Sequence, residues 1–199
     1  MVLSPWYGFD RGELYFLDCA RHLQASYVDQ PILTPLLARI SLSLFGVSLT
    51  GLRLWPSLAA AGTVVAGALT ARELGGGRRS QLLTAICVAT MPALLGADHL
   101  MGPTAVDLLA WSLLALFALR VERTADPRWW IAAGGVLGLG LANKHSIAFL
   151  AVALVIGIAL SGGRRLVTNK CFLAGAVIEL VFTVPTCGGR RTTAGQPSA

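Results

Sequence analysis

Hydrophobic and polar positions divide this chain into a polar opening and a long apolar remainder. Residues 7–35, YGFDRGELYFLDCARHLQASYVDQPILTP, hold Asp10, Arg11, Glu13, Asp18, Arg21, His22 and Asp29. Within them residues 13–27 follow a helical period. Phe16, Cys19, Ala20, Leu23 and Tyr27 recur at three- and four-residue steps, with Asp18, Arg21, His22 and Ala25 opposite. A helix this polar does not span a bilayer; the expectation is a helix in the interface plane. Asp29-Gln30-Pro31 ends it, because proline lacks an N–H and disfavours helix at the residue before it. A second short interfacial helix is expected over 34–45, carrying Arg39 and stopping at Gly46.

From Leu52 the pattern changes. The run 52–72 is nearly continuous apolar and small, and at about 1.5 Å per residue it crosses a hydrocarbon core of about 30 Å. Further spans are expected over 81–97, 104–121, 129–143, 146–160 and 171–185. Pro92 falls inside the second of these, where neighbouring helices can satisfy the carbonyl it frees. The glycines of 134–140 suit close helix packing in lipid. The fold expected is therefore all-α. It is a polytopic membrane helix bundle of about six transmembrane helices with one or two interfacial amphipathic helices. Residues 1–51 form an extracytoplasmic loop, 52–186 the bundle, and 187–199 a disordered polar tail.

Composition agrees. The 199 residues are 55% hydrophobic and 13% charged, about half the charge of a soluble domain, with mean hydropathy +0.67. The net charge of +6 would suit nucleic acid, but its placement says otherwise. Alternate connectors hold Arg72, Glu73, Arg78 and Arg79, then Arg120, Glu122, Arg123, Asp126 and Arg128, then Arg164, Arg165 and Lys170. Each is net basic, as cytoplasmic loops are. The opening segment, the stretch from Asp98 to Thr104 and the connector Asn143 to Ser146 then face the extracytoplasmic side. Arg190-Arg191 in the tail is the one departure. Membrane lipids are the expected partners, not nucleic acid; nothing in the sequence addresses oligomeric state. An external N-terminus with no apolar segment or signal peptide ahead of it implies a further span before residue 1.

The external set gathers Asp10, Glu13, Asp18, His22, Asp29, Asp98, His99, Asp107, Lys144 and His145 on one side of the membrane. Asp107 lies about one turn inside its span, near enough to the end to avoid the midplane cost of a charge. Its plainer reading is a first-turn acid behind a Thr104 cap, favoured by the helix dipole. Lys144 reads either as a snorkelling lysine or as a cation held at headgroup depth to meet a lipid-linked phosphate. Gly75-Gly76-Gly77 lacks the Lys-Ser/Thr of a phosphate-binding loop. The three histidines show no helical pairing for a metal, so no metal site is assigned; the acidic cluster leaves room for a divalent cation without calling for one. Cys19, Cys87, Cys171 and Cys187 lack CxxC spacing and read as small core residues.

Taken in order, YGFDRGELYFL, YVDQPILTPLLARISLSLFG, ARELGGGR, DHLMGPTAVDLLAW and GLGLANKHSIAFL resemble bacterial glycosyltransferase family 39 proteins. These are relatives of the dolichyl-phosphate-mannose protein mannosyltransferases. The resemblance runs from about Tyr7 to Leu160. It implies a GT-C type fold in a bacterial plasma membrane and a polyprenyl-phosphate-linked sugar as donor. It implies catalytic roles for Asp10, Glu13 and Asp107, and donor binding by Asp29, Gln30, His99, Lys144 and His145. The family's adjacent Asp-Glu pair reads Gly12-Glu13 here, and its Asp-Lys/Gln-Pro-Pro element reads Asp29-Gln30-Pro31-Ile32. Gly12 thus leaves two readings, a sugar transferase or an inactive truncated descendant. A small transporter lacks the inverted repeat expected of one.

Overall fold

A computed structural model describes residues 10–21 and 31–160, together with 170, 173, 174, 176 and 177. The expected span over 171–185 is described at only those few positions. His22, Asp29, Gln30, Cys171, Cys187 and the tail lie outside the described residues. Among the described residues every regular element is a helix. In chain order these are α1 (Arg11–Arg21), α2 (Leu33–Phe45), α3 (Leu49–Glu73), α4 (Arg78–Ala89), α5 (Pro92–Asp98), α6 (Pro103–Thr124), α7 (Trp129–Leu141) and α8 (Ile147–Leu160).

The breaks in the apolar pattern become helix ends for local reasons. α2 stops because Gly46 takes a positive φ of 64°, a conformation costly for any residue with a Cβ, while its N–H closes on the Leu42 carbonyl at 3.0 Å. The Ser48 hydroxyl then caps α3 by accepting the Gly51 N–H at 3.3 Å. α3 and α6, with 25 and 22 residues, run about 38 and 33 Å and can each cross a membrane. The run 81–97 is not one straight span. It breaks at Thr90–Met91, where Pro92 starts a new helix, and α4 and α5 meet at 59°. Proline cannot donate into the preceding turn, so the ladder ends there. α7 and α8 have 13 and 14 residues, about 20 and 21 Å, shorter than a full crossing. Two helices, or three if the bent pair counts as one, therefore have full membrane length among the described residues.

α3 and α6 form the central pair, with α4 against α3, and α7 and α8 against α6. Two cores result. Val121, Leu114 and Ala110 of α6 pack on Trp130, Ala133 and Leu141 of α7, with Ile147 and Ile158 of α8. Phe16, Leu17 and Ala20 of α1 pack on Ala38 of α2 and Leu52 of α3. Phe16, Cys19 and Ala20 of the expected apolar face are thus buried and Asp18 is exposed, while Leu23 and Tyr27 of that face lie outside the described residues. Cys19 is buried as expected; Cys87 is exposed, on a helix with no buried residue.

At the end holding the basic connectors, Arg120 Nε donates to Glu73 Oε1 at 2.8 Å, tying α6 to α3. The same guanidinium lies 4.5 Å over the Trp129 ring, which stacks on Phe117 at 5.6 Å. At the opposite end α7 and α8 approach closely at Gly140. A Cβ there would fall 2.6 Å from Ile147 Cδ1 and 3.2 Å from Cγ2, and Ile147 is fully buried with no room to yield. Gly140→Ala should therefore cost about 1–3 kcal/mol through overpacking. Gly135→Ala, with nothing within 4 Å of the new Cβ, should be neutral or stabilising by up to about 1 kcal/mol. Thermal midpoints of the two variants in detergent check this; an unshifted Gly140→Ala midpoint would contradict the close α7–α8 approach.

Candidate functional site

The end opposite the basic connectors carries two polar networks. The first begins with the sequence Asp10-Arg11-Gly12-Glu13, which folds as a capping box at the start of α1. Asp10 Oδ2 accepts the Gly12 N–H at 3.0 Å, and Glu13 Oε2 accepts the Asp10 N–H at 3.1 Å. Asp10 itself is exposed. Glu13 is 0% exposed, since the apolar face of α1 carries it down onto α3. There Arg53 grips it with both arms of the fork, Nε to Oε1 at 2.8 Å and Nη2 to Oε2 at 2.9 Å. The Met101 N–H adds a bond to Oε1 at 3.3 Å from the connector between α5 and α6. Burial opposes the Glu13 charge. The Arg53 hydrogen bonds, the N–H groups of Asp10 and Met101 and the guanidinium charge outweigh it, so the carboxyl is held below its ordinary 4.5.

The second network centres on Asp107. α6 starts at Pro103 behind Gly102, with no side-chain cap and no acid in its first turn. The reading of Asp107 as a first-turn acid behind a Thr104 cap is therefore wrong. The cap sits two residues earlier because proline at the first helical position needs no N–H partner. Asp107 lies a turn deeper, 9% exposed, where the dipole gives little help. What holds it comes from the α7–α8 connector. The Ser146 hydroxyl donates toward its carboxylate, 3.1 Å from Oδ1 and 2.9 Å from Oδ2, and Lys144 Nζ lies 3.9 Å from Oδ2. The Lys144 side chain is 49% exposed and is not locked in that contact.

Asn143 completes this network. It is 1% exposed; its Oδ1 accepts the Thr34 hydroxyl at 2.9 Å, and its Nδ2 donates to the Pro103 carbonyl at 2.8 Å. Beside it the Leu33 N–H donates to the Ala142 carbonyl at 3.0 Å. The starts of α2 and α6 and the α7–α8 connector thus converge. The two networks share one strip of backbone, from Met101, which bonds Glu13, to Asp107.

Of the residues singled out from sequence, the structure brings Asp107 to Lys144 and Asp10 to Glu13. His99 and His145 are exposed at this end; the His99 ring meets the Leu95 carbonyl at 2.7 Å, and neither ring bonds to Asp107 or Lys144. Asp29 and Gln30 lie outside the described residues. Among the described residues no three His, Cys, Asp or Glu side chains gather as metal ligands. Arg53, Asn143 and Ser146 were not singled out. Arg53 sits in an otherwise apolar run, LRLWPSL, and a charge in a span needing a partner was the signal available.

A family model described as dolichyl-phosphate-mannose-protein mannosyltransferase matches residues 29–188. The match takes in Asp107, Asn143, Lys144 and Ser146, and begins after Asp10 and Glu13. No curated protein and no solved structure matches the chain. With its long apolar helices, the chain is an integral membrane protein.

Removing one partner of a buried ion pair strands the other, so Arg53→Met should cost about 3–5 kcal/mol, whereas the double variant Glu13→Leu/Arg53→Met should recover most of it. A carboxyl depressed in the fold stabilises above its unfolded value and loses that contribution as pH falls through its folded one. The thermal midpoint should therefore hold from neutral pH down to about 4.5, then fall; the double variant should lack this component. Melting curves across pH for the three proteins test both statements.

Proposed function

The chain belongs to the dolichyl-phosphate-mannose-protein mannosyltransferase family, and from that premise we propose that it transfers a sugar from a polyprenyl-phosphate donor to an acceptor hydroxyl. The reaction takes place at the polar end of the bundle, on the extracytoplasmic face of a bacterial plasma membrane. The observation carrying this reading is the Asp107–Lys144 pair, a sheltered carboxylate with a half-exposed ammonium 3.9 Å away. A carboxylate and a cation at that spacing suit the two ends of a glycosyl transfer. Asp107 takes the proton of the acceptor hydroxyl, whose oxygen bonds to the anomeric carbon. The bond from that carbon to the phosphate oxygen breaks, its electron pair stays with the lipid phosphate, and Lys144 neutralises the charge that develops there. His99 and His145, with Asp29 and Gln30 ahead of α2, take the donor's phosphate and sugar. Asp10, the exposed acid just ahead of α1, faces the acceptor, and Glu13 holds α1 in place through Arg53. The net-basic connectors support this orientation, placing the opposite end in the cytoplasm.

One observation favours an inactive descendant instead. Asp10, just ahead of α1, and Glu13, in its first turn, are both engaged in the capping box, Glu13 wholly so, and Gly12 stands where the resemblance calls for an aspartate. A Cβ on Gly12 would sit 3.3 Å from Asp10 Oδ2, so an aspartate there would crowd that carboxylate.

Purified chain in lipid nanodiscs, given polyprenyl-phosphate mannose and acceptor, should release polyprenyl phosphate. Asp107→Asn should lower turnover by about 100-fold or more. Turnover unchanged in Asp107→Asn would sink the assignment of that residue. Turnover only after Gly12→Asp would identify the inactive descendant, and silence of both forms would count against transfer by this chain alone. A cysteine placed at 145 should react only with an extracytoplasmic label.

A further inference from the structure

Asn143 is spent in an unusual way. An asparagine just past a helix end is ordinarily there to take the left-handed conformation that stops the helix. Asn143 does not: Ala125 is the one non-glycine residue with positive φ among the described residues. Its conformation asks for no asparagine, yet its amide is buried, and burying an amide costs a few kcal/mol unless both ends are bonded. Both ends are, to Thr34 and to Pro103, residues 109 and 40 positions away.

The directions of those bonds matter. The Pro103 carbonyl lies one turn before Asp107 on α6, and Lys144 and Ser146, one and three residues beyond Asn143, reach Asp107 itself. The connector is thereby held on one strip of α6, with Asn143 at one end and Ser146 at the other. Thr34 adds a brace from α2. We propose that Asn143, braced by Thr34, is the positioning residue that sets Lys144 and Ser146 in register on Asp107, so that a lipid-linked phosphate arriving at Lys144 meets that carboxylate at a fixed separation. The register follows from the hydrogen bonds alone; its use for a lipid phosphate rests on the function proposed above.

The full chain in nanodiscs, with its native cysteines replaced by serine, reports the register through the disulfide-forming rate of the pair Asp107→Cys/Ser146→Cys. All rates are taken well below each variant's melting temperature, where a purely stabilising role would leave them unchanged. Adding Asn143→Ala should slow cross-linking about tenfold. Thr34→Val, which keeps shape but loses the donor, should slow it about threefold, and Thr34→Ser should restore it. Should Asn143→Ala fail to fold, the Thr34 pair decides the matter. Cross-linking unaffected by the folded variants overturns the inference. Separately, polyprenyl monophosphate is titrated onto the protein with residues 107 and 146 intact. Its affinity should fall about tenfold in Asn143→Ala. Cross-linking that responds, beside a wild-type chain with no affinity for polyprenyl monophosphate, would uphold the positioning role and sink the proposed function.

Discussion

The Glu13–Arg53 pair is the constraint on which the polar end depends. Arg53 stands in the first turns of a helix long enough to cross a membrane, and an unpaired guanidinium there would draw water or lipid phosphate into the bundle. Glu13 meets it with a forked contact, and a backbone N–H from each of two separate segments occupies the remaining carboxylate positions. Such a pair adds little net stability over well-packed apolar residues. What it supplies is placement. α1 is short and amphipathic, and its apolar face alone would let it slide along the bundle surface; the pair allows one position.

That placement reaches the second network through backbone. Met101 donates to Glu13, Pro103 accepts from Asn143, and Asp107 receives Ser146 and Lys144. Successive points on one helix start are therefore tied to α1, to the α7–α8 connector and, through Thr34, to α2. Proline at the first position of α6 suits this start, because its missing N–H would have had no partner, and its carbonyl accepts the Asn143 amide. The opposite end is held more simply, by the Glu73–Arg120 pair with Trp129 stacked beneath the guanidinium.

Much of this was legible in the residue pattern. The stop at Gly46, the long helices from Leu52 and Thr104, the buried stripe of Phe16, Cys19 and Ala20, and the placing of Asp107 and Lys144 at one end of the bundle follow from period, glycine and charge. Three things were not. Pro92 breaks its span, because whether neighbours rescue a lost hydrogen bond depends on packing that a sequence does not display. Glu13 turns inward although it sits among charges in a polar segment, since its partner is 40 positions away inside an apolar run. Asn143 and Ser146 looked like connector residues, and their role depends on how tightly Gly140 lets α7 and α8 close. Asp29 and Gln30 remain readings of sequence.

The unequal helix lengths have a consequence for the lipid around the protein. α7 is set in from both ends of α6: its start lies beside Phe117 and Arg120, and the connector after it reaches Asp107, a turn inside the helix start. One flank thus offers a helix about 20 Å long and the other one of about 38 Å. No bilayer of uniform thickness matches both, and a mismatch of this kind is met by local thinning at fractions of a kcal/mol per Å. A bilayer lying against α7 would accordingly be thinner there than beside α3.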